Sequence, residues 1–111
     1  VFFIQKEHVE IIKLIKNQVK ESIFPEEVSS LSGPALVTAL STRLKQAITI
    51  DNGIMHMISL SKIPMIVLFG PTKSSKFAPK IKDIKILDSK MIYSSSDINK
   101  ISAQEVIEFL K

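Results

Sequence analysis

The residues able to do chemistry cluster around Asp51, Asn52, Gly53 and His56, with Thr72 twenty-one positions on. An acid at the end of an apolar run, followed closely by glycine, can hold a ligand hydroxyl. Backbone N–H groups opening the next helix can then meet an anion. Asp51 has two readings, a helix N-cap or a carboxylate that holds a ligand. Gly53 lets the backbone approach an anion with no Cβ in the way. His56 is a core residue, a donor to the anion or an organiser of the Asp51 loop, and Thr72 either binds the anion or caps the next segment. Two separated histidines without spaced carboxylates make no metal site, and neither a Walker motif nor GxGxxG occurs.

The elements that must position these residues are legible from residues 47–72. Ala47, Ile48, Thr49 and Ile50 form a β-branched run suited to a buried parallel strand. Asp51-Asn52-Gly53 breaks it, and residues 54–61 continue as a mostly apolar helix ended by Lys62. Pro64 opens a second strand, Met65-Ile66-Val67-Leu68-Phe69, which Gly70-Pro71-Thr72 closes. Both breaks fall at carboxyl ends of strands, where open α/β sheets keep their ligand crevice.

The ordered set Asp51-Asn52-Gly53-Ile54-Met55-His56, Pro64 and Phe69-Gly70-Pro71-Thr72 resembles glycosyltransferase family nine, the ADP-heptose:lipopolysaccharide heptosyltransferases. Asn52 stands where Thr or Ser is commoner, and Lys73 where Asp or Asn is. The resemblance implies the carboxyl-terminal, donor-binding half of a GT-B enzyme: a three-layer, Rossmann-like α/β domain with a mainly parallel sheet. It further implies an ADP- or UDP-linked sugar donor held by Asp51, Asn52, Gly53, His56 and Thr72. The reaction would be inverting transfer to a glycan or lipid-linked acceptor, in lipopolysaccharide or other cell-surface glycan synthesis. Acceptor and general base belong to an amino-terminal domain that these residues do not match, so no catalytic residue is assigned and no cofactor is implied. The implied location is cytoplasmic, peripheral at the inner face of the membrane. A nucleotide-sugar epimerase of the same fold and a non-catalytic α/β binding domain are the competing readings.

Composition agrees with one domain spanning residues 1–111: 45% hydrophobic and 23% charged residues suffice for a core under a solvated surface. The net charge of +4 comes from scattered lysines with Arg43 the sole arginine, a pattern that argues against a nucleic-acid partner. Absence of cysteine excludes disulfides and thiolate metal sites and fits a reducing compartment. No apolar run is long enough to span a bilayer.

Further readings complete the chain. Val1-Phe2-Phe3-Ile4-Gln5 is expected as a first strand, as though the sequence began inside a longer domain. A helix is expected over residues 8–20, with Ile11, Ile12, Ile15 and Val19 as its apolar stripe and His8 solvent-facing or capping. Glu7 and Glu10 fit either the helix dipole or, by resemblance, a place near the donor. Ser22-Ile23-Phe24 reads as a short strand, residues 28–34 as a loop whose Leu31-Ser32-Gly33 corresponds to a family motif near the base. Pro34 starts a helix with Val37, Leu40 and Leu44 on one face. Residues 73–82 read as a basic loop, Ile84-Lys85-Ile86-Leu87 as an edge strand and residues 94–96 as a turn. Ser102 to Glu105 forms a capping box for a last helix with Ala103, Val106, Ile107 and Leu110 on its apolar face. The resemblance implies a further, central strand upstream, without which the first strand and residues 47–50 would each keep an unpaired edge. That predicts self-association through the gap or its closure by direct pairing.

Overall fold

The computed structural model describes residues 1–4, 7–28, 33–72 and 74–110. It is an α/β chain in which β1 (Ala47–Ile50), β2 (Met65–Phe69) and β3 (Ile84–Asp88) form a parallel sheet in the order β1-β2-β3. The β-branched run and the Pro64-led run become strands as their residue types require, in register Ala47↔Met65 to Ile50↔Leu68. Parallel strands need crossovers, and α4 (Gly53–Ser59) makes the first. Lys62, at φ 60°, ends the turn after α4 before the chain enters Pro64. The second crossover holds α5 (Ser74–Phe77), a helical turn inside what the sequence suggested was only a loop.

The core sits on one face of the sheet. Ala47, Met65, Val67 and Phe69 pack there with Met55 and Ile58 of α4 and Val37 of α3 (Gly33–Ser41). β2 is the central strand and is buried along most of its length. β1 is an edge strand instead of the buried one expected, and Ile48 and Ile50 are 48% and 50% exposed. β3 is the other edge, as expected, although its burial does not alternate.

Residues 1–4 belong to no strand, which corrects the expected first strand; Gln5 lies outside the described residues. Phe2 N–H donates to the Ile23 carbonyl, its ring stacks on Phe24, and Phe3 packs against the core. Residues 22–24 form no strand, and Pro25 opens a helical turn, α2 (Pro25–Val28). Between residues 1–4 and the free edge of β1 lies an open cleft of about 620 Å³. The gap therefore remains: residues 1–4 do not close it by pairing with β1.

α1 (Val9–Gln18) is shorter than its sequence pattern, and of its stripe only Ile12 is buried, with Ile11 and Val19 exposed. His8 occupies its N-cap position without a side-chain cap bond. The Leu31-Ser32 part of the loop motif lies outside the described residues. α6 (Ser89–Tyr93), a 3₁₀ turn (Ile98–Lys100) and α7 (Ala103–Phe109) finish the chain. The capping box of α7 is present in both directions between Ser102 and Glu105. Its apolar face is only partly covered, and Ile107 is exposed.

Candidate functional site

β1 and β2 end side by side, and this brings Asp51 and Thr72 together. Asp51 still belongs to the ladder through its N–H, which donates to the Leu68 carbonyl at 3.2 Å. Its carboxylate accepts a hydrogen bond from the Thr72 hydroxyl. The N-cap of α4 is therefore Asn52, not Asp51: Asn52 is extended, and its Oδ1 accepts the Met55 N–H at 3.1 Å. The Asp51 carboxylate is taken by Thr72, and Asn52, directly before the first helical residue, supplies the cap.

The cap satisfies one of the helix-opening donors. The N–H groups of Gly53 and Ile54 keep no partner among the described residues and front the strand ends. Gly53 is exposed, and a Cβ built there would meet only Met57 Cε, at 3.9 Å. The space in front of it is open. His56 is exposed on the same helix rather than packed in the core, which settles one of its readings. Among the described residues none hydrogen-bonds its ring. Thr72 is half-buried, and its hydroxyl is directed to Asp51.

A second polar cluster, at the end of β3, was not expected from the sequence. Asp88 is 5% exposed; its Oδ2 accepts the Ser74 hydroxyl at 2.7 Å, and its Oδ1 accepts the Lys90 N–H at 3.0 Å. Lys90 Nζ donates to the Pro71 carbonyl at 2.6 Å. The signal available in the sequence was Asp-Ser directly after a strand, an N-cap pattern. Gly70, which ends β2, is closely covered: a Cβ would stand 2.8 Å from the Ser96 carbonyl oxygen and 3.0 Å from Ile98 Cβ.

The crevice is open on its β1 side. The strands follow one another in sequence order, so among the described strands the order never reverses, and Asn52 borders the cleft. Glu7 and Glu10 are exposed beside or on α1. Among the described residues there is no group of three or more His, Cys, Asp or Glu able to hold a metal ion, and no helix long and apolar enough to cross a membrane. Lys73 lies outside the described residues. Compared with family models, curated proteins and solved structures, the chain matches none.

Proposed function

We propose that this chain is the nucleotide-sugar-binding part of an inverting glycosyltransferase resembling family nine, a Rossmann-like carboxyl-terminal half of a GT-B enzyme. The observation that carries the reading is the Asp51–Thr72 hydrogen bond, which joins the two halves of the quoted motif across adjacent strand ends. In this reading the remaining carboxylate oxygen of Asp51 accepts a donor hydroxyl. The N–H groups of Gly53 and Ile54 meet the diphosphate, with His56 donating from the exposed side of α4. During transfer an acceptor hydroxyl attacks the anomeric carbon with inversion, and the nucleoside diphosphate leaves. The same N–H groups oppose the charge growing on it. The base that takes the acceptor proton lies in the amino-terminal partner domain. ADP, UDP and their sugars, titrated against the chain while amide shifts are followed, test this reading. It predicts changes at residues 51–56 and Thr72, abolished by Gly53→Val in a folded protein.

A second reading has its own support. Asp51 and Asn52 both spend hydrogen bonds inside the chain, on Thr72 and Met55, as a purely structural role would require. A non-catalytic α/β domain would show no response to any of these nucleotides. Sugar released without an acceptor, on addition of a nucleotide sugar, would favour the epimerase.

A further inference from the structure

We propose that Asp88 is a positioning residue for the Asp51–Thr72 pair, acting through Ser74 and the loop that closes β2. The loop is tied to both neighbouring strands. Thr72 reaches across to Asp51 at the end of β1, and Ser74, two residues later, reaches the opposite way to Asp88 at the end of β3. Lys90 holds the same loop from α6 through the Pro71 carbonyl. The three attachments fall on Pro71, Thr72 and Ser74, within four consecutive residues.

The attachments differ in strength. Ser74 and Asp88 are 6% and 5% exposed, whereas Asp51 and Thr72 are half-buried. A buried carboxylate that loses one of its donors forfeits a bond that water does not readily replace, which costs more than the loss of a bond near solvent. The β3 end is thus the anchor, and Thr72 takes the position that the anchor dictates. Gly70, at the start of the loop, lies close under the Ser96 carbonyl and Ile98, where an added Cβ would not fit.

The geometric claim holds with or without a ligand; its bearing on donor binding rests on the nucleotide-sugar reading. The test is Ser74→Ala, with Ser74→Thr as the variant that restores the hydroxyl. NMR of the Thr72 hydroxyl proton and of the amides of residues 51–53 is the readout. The expected result is a Thr72 hydroxyl that exchanges rapidly and shifted amides at residues 51–53. Amides of β1 and β2 stay in place, and Ser74→Thr returns the native pattern. Changes confined to residues 86–92, with residues 51–53 unmoved, would overturn the proposal. Should Ser74→Ala fail to fold, Lys90→Met loosens the same loop from an exposed position and is read the same way. ADP or UDP affinity is measured alongside, with a loss of about tenfold expected, the equivalent of one hydrogen bond. Shifted amides in a protein that binds neither nucleotide would keep Asp88 as a positioning residue and remove the donor-site reading.

Discussion

The Thr72 hydroxyl donates to the Asp51 carboxylate across two neighbouring parallel strands, joining residues 21 positions apart. This bond ties the loop after β2 to the end of β1. Thr72→Val keeps the shape and removes the donor. It should lower stability by about 1–2 kcal/mol in denaturant unfolding, as expected for a hydrogen bond to a charged group that is half solvated. An unchanged midpoint would mean that water replaces the hydroxyl at no cost.

His56 gives a separable outcome. It is exposed, so His56→Ala should leave the thermal midpoint nearly unchanged. If its ring meets a phosphate, ADP or UDP binding should weaken by about 1–2 kcal/mol in calorimetric titration. Lower stability with unaltered affinity would remove His56 from the site.

Two glycines should respond in opposite ways. Gly70→Ala forces a Cβ against the Ser96 carbonyl and Ile98 and should destabilise by about 1–3 kcal/mol. Gly53→Ala meets nothing closer than 3.9 Å, starts a helix, and should be neutral or stabilising by about 0.5 kcal/mol. Chemical denaturation of the pair measures both.

Much of this could be read from local signals, because β1, β2 and the start of α4 are set by neighbouring residues: a β-branched run, an Asp-Asn-Gly break, a proline. The capping box at Ser102 is equally local. What failed depended on distant partners. Residues 1–4 have the composition of a strand, yet a strand needs a neighbour to pair with, and these residues pair with no described strand. Asp and Asn have equal standing as caps. The choice of Asn52 was made by the Leu68 carbonyl and Thr72, which hold Asp51 elsewhere. α6, five residues long, is too short to show a period.

Tyr93 and Glu105 predict a pH response. The hydrogen bond from Tyr93 holds the Glu105 carboxyl below its ordinary value, with the Ser102 backbone N–H adding to the effect. The same bond to the carboxylate holds the Tyr93 phenol above its own. The Glu105 contribution is present above the unfolded carboxyl value and is lost as pH falls through the folded one. The Tyr93 contribution is present below the unfolded phenol value and is lost as pH rises through the folded one. Carboxyl shifts followed by NMR should show Glu105 titrating higher in Tyr93→Phe, though not fully at its ordinary value, since Ser102 remains.

The free edge of β1 predicts concentration-dependent self-association. The strand carries no charge or proline, and its isoleucines are half exposed. Sedimentation should show association that Ile50→Lys suppresses. A monomer at every concentration, with and without the lysine, would show that the edge recruits no second copy.

α7 has consequences in time rather than in energy. It buries no residue and touches β3 through Lys85, whose ammonium reaches the Phe109 carbonyl and lies 5.1 Å from the centre of its ring. Amide hydrogens of α7 should therefore exchange early, through an opening that leaves the sheet intact, while those of β2 exchange last. Leu110, which comes directly after α7, lines the cleft beside β1. Each such opening lifts one rim of that cleft, so the strand edge becomes reachable on the schedule of the least protected helix, long before the sheet itself comes apart.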